Sequence, residues 1–190
     1  MLTTLLAWLL ILLFSLLEGH LRKGQPAATF AAGQSDRQST RRLGLAYAFA
    51  ILGLLAAPIL NLVSIGRILS APAAWIGLAI QLAGIGLRVW TNHVLGAFYT
   101  RTLRVLEHQA VVQSGPYRFI RHPGYLGGIL MWSGAGLAAG NWIVLLLVLL
   151  CMGLAYHYRI RTEEAMLLEN LGEAYARYRA HTWRLLPFIY

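Results

Sequence analysis

The sequence predicts an all-α integral membrane bundle of about five transmembrane helices, with a cytoplasmic amphipathic helix at its C-terminal end. Three observations predict it. Hydrophobic residues make up 58% of the 190 and charged residues only 12%, whereas an ordinary soluble domain carries about 25% charged. The apolar residues fall in runs close to the ~20 residues that a membrane-crossing helix needs. The basic residues gather in alternate loops, as on one face of a membrane, and form no continuous basic stripe despite a formal charge of +9; a nucleic-acid partner is therefore not expected. The length suits a single membrane domain. The one cysteine, Cys151, lies in an apolar run and forms neither an internal disulfide nor a paired-cysteine metal site.

The elements follow in order. Residues 2–17 are nearly unbroken in apolar character and end at Glu18, Gly19 and His20. Without a basic start or a small-residue cleavage pattern, this run reads as an anchored first helix and not a signal peptide. The stretch 22–42, rich in Gly, Gln, Ser and Thr, reads as an aqueous loop. Residues 43–65 are long enough to span, with Pro58 as a kink. Residues 72–95 make a third helix entered by Pro72 in its first turn, where a missing N–H is harmless. The least hydrophobic part of the chain, 96–123, comes next. Two shorter apolar segments, 125–139 and 142–156, flank the turn signal Gly140-Asn141 and read as a tight helical hairpin, its first arm short for a span. Beyond 159 the chain is charged and aromatic. Met166, Leu167, Leu168, Leu171, Tyr175 and Tyr178 recur there at helical spacing, which predicts an amphipathic helix on the bundle or at the interface.

Charge gives an independent check. If five helices alternate, the loops 22–42, 88–121 and 159–184 share one face, and Arg67 is the one Lys or Arg residue outside them. The positive-inside rule puts that face in the cytoplasm and the N-terminus outside, as for a protein of the inner or plasma membrane.

Two polar clusters stand on this face. The first runs from Ser114 through Gly115-Pro116-Tyr117 and Arg121-His122-Pro123-Gly124-Tyr125 to Gly127-Gly128, just before the fourth apolar segment. Gly and Pro set sharp turns here, Pro123 opens a helix without losing a needed donor, and Gly124, Gly127 and Gly128 clear space for a ligand or another backbone. The same composition also serves interfacial anchoring and helix contact. The second cluster, Arg159-Ile160-Arg161-Thr162-Glu163-Glu164, sets Arg159 and Glu163 four residues apart on one helix face; alone it reads as a solvated helix end with an ion pair. His93 and His157 sit at helix ends and read as interfacial anchors, and no metal-ligand spacing links them, so no metal is expected. Trp8, Trp75, Trp132, Trp142 and Trp183 read as belt or core residues, and Arg88, inside the third helix, either faces a cavity or snorkels to the interface.

Together the clusters resemble a family. Tyr117, Arg121-His122-Pro123-Gly124-Tyr125, Gly127, Glu163-Glu164, Gly172, Tyr175, Tyr178 and Leu186-Pro187-Phe188 occur in the order seen in isoprenylcysteine carboxyl methyltransferases and the related phospholipid methyltransferases, over roughly residues 90–190. The resemblance implies a membrane-embedded methyltransferase without a Rossmann domain. S-adenosylmethionine would sit in a cytosol-facing pocket, and a lipophilic small molecule or lipidated substrate would arrive from the bilayer. It divides the domain into N-terminal transmembrane helices, 1–85, and a cofactor-binding part, 86–190. By position it makes Gln109, Val112, Tyr117, His122, Pro123, Gly124 and Tyr125 cofactor contacts, and Arg159 and Glu163 both cofactor contacts and catalytic residues. Two registers stay open. The family often has a histidine where Gln109 stands, with His108 one place earlier, and aligning forwards from Thr162 favours Arg161 over Arg159.

The residue types suit that cofactor. Aromatic rings favour an adenine and a sulfonium, the latter by a cation–π attraction of about 0.5–2 kcal/mol, and a carboxylate binds ribose hydroxyls or an ammonium. Methyl transfer from an activated donor asks mainly for alignment and a dry site. A carboxylate acceptor, of an isoprenyl-cysteine-like or other lipid-like molecule, needs only an anchoring cation such as Arg159 or Arg161. An amine or thiol would call on Glu163, Glu164 or a histidine as base. Two further readings stand beside this one. The ending from Arg184 to Tyr190 also resembles membrane NADPH-dependent reductases of the sterol and steroid group, although Gly115-Pro116-Tyr117 and the paired glutamates fit methyltransferases better. A small transport or scaffold protein would instead line a path near the bilayer midplane with polar residues.

Overall fold

The computed structural model describes residues 1–21, 36–68, 70–98, 102–103 and 109–190. The loop read over 22–42 is thus described only from Asp36 onward, and His108 lies outside the described residues. The described residues form five α-helices and no β-strand: α1 Leu2–Leu21, α2 Ser39–Leu62, α3 Ala71–Leu95, α4 Pro123–Ala138 and α5 Trp142–Ala180. Single 3-10 turns occupy Gly96–Phe98 and Gly115–Arg118. Three helices, α2, α3 and α5, are long and apolar enough to cross a membrane. The apolar stretch of α1, Leu2–Glu18, is shorter, and α4 has 16 residues, about 24 Å of rise against a ~30 Å hydrocarbon core. Outward faces carry Leu5, Leu9, Leu12 and Leu16 on α1 and Leu52, Leu55 and Ile59 on α2, all exposed, as bilayer-facing helices require.

Polar side chains set the relative directions. Gln81 Nε2 on α3 donates to the Ala7 carbonyl of α1 at 3.0 Å and Arg88 Nη2 to Glu18 Oε1 at 2.8 Å, so α1 and α3 run the same way. At the opposite end from Glu18, the α2–α3 and α4–α5 connections pair. Ile68 N–H donates to Gly140 O, Trp142 N–H to Gly66 O, and Asn141 Nδ2 to both Asn61 Oδ1 and Ile65 O. Asn141 also accepts from the Ile143 and Val144 N–H groups, capping α5 as the Gly140-Asn141 turn signal foretold. The alternation deduced from the arginines is therefore the alternation of the helices.

The deepest seam joins α3 to α4. A Cβ added at Gly77 or Gly84 on α3, or at Gly134 on α4, would strike the backbone of the facing helix; one at Gly127 would meet Gly84 O and the Arg88 side chain at 2.9 Å. Four glycines seven residues apart on each side thus let two backbones touch. This decides between the two roles the sequence left open for these glycines: Gly127 makes room for the α3 backbone and the Arg88 side chain and Gly128 for the Tyr156 hydroxyl, while Gly124 borders the cavity.

Two boundaries also differ. The second helix starts four residues early, at Ser39, because Asp36 accepts the Thr40 N–H at 3.0 Å and stabilises its first turn. The amphipathic helix expected as a separate element is the continuation of α5, broken within by Gly172 at φ 52°. The change of polarity at Arg159 is a change of surroundings without a helix breaker; Gly172, lacking a Cβ, adopts the left-handed geometry. After α5 the chain returns to the loop before α4, where Arg121 N–H donates to Trp183 O at 2.7 Å and His122 N–H to Arg184 O at 3.0 Å.

The seam gives a paired test. Gly84→Ala should destabilise by about 1–3 kcal/mol, the range for forcing a methyl into a filled contact. Gly86→Ala, one turn-face away with nothing near its Cβ, should be neutral or stabilise by up to about 1 kcal/mol. Thermal unfolding in one detergent compares them, and equal melting temperatures would remove the seam's importance.

Candidate active site

The site begins at the entrance of α4. Pro123 occupies its first turn and His122 caps it, so that His122 and Tyr125 project from one side of the opening turn. Their rings stack at 5.4 Å with planes 4° apart, and Tyr125 stacks in turn on Tyr156 of α5 at 5.0 Å. The Tyr156 hydroxyl, in the space that Gly128 leaves, shares a 2.9 Å hydrogen bond with Tyr47 of α2.

Arg159 and Glu163 do not form the solvated helix end that their spacing alone suggested. Arg159 is 2% exposed, and both side chains converge on one hydroxyl. Tyr125 Oη accepts from Arg159 Nε at 2.9 Å and donates to Glu163 Oε2 at 2.6 Å. The other side of the guanidinium, Nη1, donates to Ser39 Oγ and Thr40 Oγ1, each at 3.2 Å, with Asp36 Oδ1 at 3.8 Å. Burial works to raise the Asp36 carboxyl, but hydrogen bonds from Thr40, Ser39 and the Leu103 N–H hold it below its ordinary value.

A second carboxylate holds the loop. Glu164, 3% exposed, accepts from Arg121 Nε at 2.8 Å and Arg184 Nε at 3.0 Å. The His122 imidazole lies between the two glutamates, Nδ1 3.6 Å from Glu163 and Nε2 3.4 Å from Glu164. Burial opposes ionisation of Glu164, yet the bonds from His122, Arg184 and Arg121 keep its carboxyl far below the usual range. Arg121 also donates to the Thr182 and Arg179 carbonyls, tying the chain beyond α5 to this loop. Tyr178 Oη donates to Tyr117 O at 2.8 Å, and burial, partly offset by Arg121, pushes the Tyr178 phenol up to about 12.

Several of these groups border one cavity of about 730 Å³, within the ~300–1,000 Å³ of ligand pockets. One part is polar and aromatic: Gln109, Val112, Tyr117, His122, Gly124, Tyr125, Arg159 and Glu163 all line it, with Tyr175 and Tyr178. The other is apolar, walled by Ile11 and Phe14 of α1, Leu43 and Ile51 of α2, and Met131 and Trp132 of α4. Every residue expected in the site borders this space except Pro123, which is buried beneath it as the helix opener. Arg161 is exposed and away from the cavity, so the open choice between the arginines falls to Arg159. Sequence reasoning missed the contribution of the first two helices. Tyr47, Glu18, Thr40 and, through Arg159, Asp36 belong here, and the only signal for them was polarity at the ends of apolar runs. Arg88, left unassigned, lines the cavity beside Glu18. Among the described residues no cluster of His, Cys, Asp and Glu could hold a metal ion.

Fold and site thus define a helical integral membrane protein with a pocket that is polar at one end and apolar at the other. A family model described as phospholipid methyltransferase matches residues 72–174, more than half of the chain, and the chain belongs to that family. The resemblance to isoprenylcysteine methyltransferases is borne out as well. The protein-S-isoprenylcysteine O-methyltransferase of Schizosaccharomyces pombe is 34% identical over 79 residues, 42% of this chain and 34% of that protein. The Saccharomyces cerevisiae protein of that name is 26% identical over 116 residues, 60% of this chain and 48% of its own. A solved structure described as a eukaryotic intramembrane Ras methyltransferase, isoprenylcysteine carboxyl methyltransferase, shares the fold with a TM-score of 0.61 at 22% identity, covering 84% of this chain and 55% of that one. The chain spans less than two thirds of the length of these relatives.

The depressed Glu164 carboxyl makes stability depend on pH. Its contribution is complete above the unfolded carboxylate value of about 4.3 and is lost as pH falls from there toward its low folded value. The melting temperature of the parent should therefore fall steeply below about pH 4.5. Glu164→Gln should lower it at neutral pH and flatten that acid slope. Identical acid profiles for both proteins would contradict the role given to Glu164.

Proposed function

We propose that this protein transfers a methyl group from S-adenosylmethionine to a lipophilic acceptor, with the polar part of the cavity facing the cytoplasm. The observation that carries the reading is the continuity of the cavity. Its polar and apolar parts meet along the stacked rings of Tyr125 and Tyr156, so a polar cofactor and a lipid-like acceptor would share a wall. The donor set fits the cofactor. The face of His122 and Tyr125 offers stacking, Glu163 offers a carboxylate, and the Tyr175 hydroxyl, buried at the cavity wall, has no hydrogen-bond partner among the described residues. Gln109, Val112, Tyr117 and Gly124 would complete that end.

S-adenosylmethionine supplies an activated methyl group when bound. The protein's residues bind, orient and exclude water. For a carboxylate acceptor the transfer would release no proton, so no residue of the chain would have to act as a base. Only an anchoring cation is needed. Among the described residues Arg88, Arg121 and Arg159 line the cavity. Arg121 is committed to Glu164, so we assign Arg88 and Arg159 to the acceptor head, Arg159 reaching the cofactor end as well through Tyr125 and Glu163, with Ile11, Phe14, Ile51 and Trp132 beside the acceptor's chain. The names of the relatives make an S-prenylated cysteine carboxylate the first acceptor to try.

The test uses purified protein in nanodiscs, with tritiated-methyl S-adenosylmethionine and N-acetyl-S-farnesylcysteine, beside calorimetric cofactor titrations of variants. His122→Ala, Tyr125→Phe and Glu163→Gln should stay folded and lose affinity for the cofactor. Removing a charge-assisted bond costs about 1.5–3 kcal/mol, so Glu163→Gln should weaken binding at least about tenfold. Unchanged affinity in all three would refute the pocket assignment. Orientation is tested separately, in cells lacking Cys151. Ser114→Cys should react with an impermeant maleimide only after the cytoplasm is opened and Arg67→Cys in intact cells; the reverse pattern would invert the topology.

A further inference from the structure

The turn before α2 lies outside the matched residues 72–174, yet it supplies much of what surrounds the Arg159 guanidinium. Asp36 is 1% exposed, and its carboxylate is fully engaged. Oδ1 accepts from Ser39 Oγ at 2.9 Å, Thr40 Oγ1 at 2.7 Å and the Leu103 N–H at 3.3 Å, and Oδ2 accepts from the Thr40 N–H at 3.0 Å. The two hydroxyls that donate to Asp36 are those that accept from Arg159 Nη1 at 3.2 Å. A hydroxyl has one proton, so donating it to Asp36 turns its lone pairs toward the guanidinium. Asp36 thereby sets the polarity of both contacts while adding its own charge at 3.8 Å.

The backbone is shaped for this. Arg37 and Gln38 both stand at positive φ, 43° and 64°, a conformation unfavourable for residues with a Cβ and retained only where surroundings enforce it. The enforcement comes from α5. Tyr158 Oη donates to the Arg37 carbonyl at 2.9 Å, and the Arg42 guanidinium lies 3.8 Å over the Tyr158 ring. The same stretch of α5 that carries Arg159 therefore clamps the turn that carries Asp36, one residue away.

We propose that Asp36 is a positioning residue for the methyl-transfer site, acting through Ser39 and Thr40 on Arg159, and through Arg159 on Tyr125 and Glu163. This rests on the reading of the cavity as a cofactor site. Its consequence is that the N-terminal helices do more than wall off the acceptor: they orient a cation that the matched part of the chain supplies. Leu103 ties in the chain between α3 and α4, so the turn joins three parts of the molecule at one carboxylate.

The experiment is a double-mutant cycle read as S-adenosylmethionine affinity, by calorimetry of the full chain in nanodiscs, with melting temperature beside each value. Asp36→Asn should weaken binding at least about fivefold, a single hydrogen bond's worth. The double variant Asp36→Asn/Arg159→Gln should bind within about twofold of Arg159→Gln alone, since both act on one interaction. Thr40→Val with Ser39→Ala leaves the Asp36 to Thr40 N–H bond in place and should reproduce the loss; it carries the test if Asp36→Asn does not fold. Asp36→Asn binding like the parent with only a lowered melting temperature, or losses that multiply in the double variant, would reduce Asp36 to a helix-start residue and overturn the proposal. An Arg159→Gln that binds like the parent would also overturn it, whereas a parent protein that binds no S-adenosylmethionine would remove the cofactor-site reading beneath it.

Discussion

Arg159 is a full charge with almost no contact with solvent, and everything around the site answers it. A buried guanidinium is tolerated only when its donors are met by acceptors and its charge by a carboxylate. Here the answer comes from three helices at once. α4 supplies the Tyr125 hydroxyl, α2 the hydroxyls of Ser39 and Thr40 backed by Asp36, and α5 itself supplies Glu163 on the far side of Tyr125. Each partner is held by a further bond, so the protein's own contacts define the arrangement. That is the condition under which alignment can contribute to a displacement reaction.

The rest of the fold places these partners. The glycine seam brings α4 against α3 along its whole short length, which fixes where the opening turn with His122 and Tyr125 stands. The chain beyond α5 folds back and locks the preceding loop, through the backbone pairing at Arg121 and His122 and the Arg121–Glu164–Arg184 cluster. Glu163 and Glu164 are neighbours in sequence with opposite tasks. One faces the cavity, and the other is turned away from it and holds the loop together.

Much of this could be read in the sequence. Alternating arginines and apolar runs revealed five helices and the common face of their polar ends, since charge and length are properties of single segments. Most residues at the polar end of the cavity were legible through the Arg121 to Tyr125 motif and the paired glutamates. What escaped depended on tertiary contact. Nothing local says that Asp36 meets Arg159 across more than a hundred residues, or that Gly127 faces Gly84 and not a ligand. The continuity of α5 through Arg159 was missed because a change in polarity resembles a boundary, while Gly172, the real break, shows only through its backbone angle.

The family match and the two-ended cavity point the same way from independent grounds: one is a pattern of residues, the other a shape with a polar part, an apolar part and a common aromatic wall. The central claim is that the polar part takes S-adenosylmethionine. Its most direct measurement is calorimetry of the unmodified protein in nanodiscs with S-adenosylmethionine, its demethylated product and NADPH in turn. The account predicts one saturable site per chain for the first two, in mutual competition, and no heat of binding for the third. Saturable binding of NADPH with none of S-adenosylmethionine would contradict it.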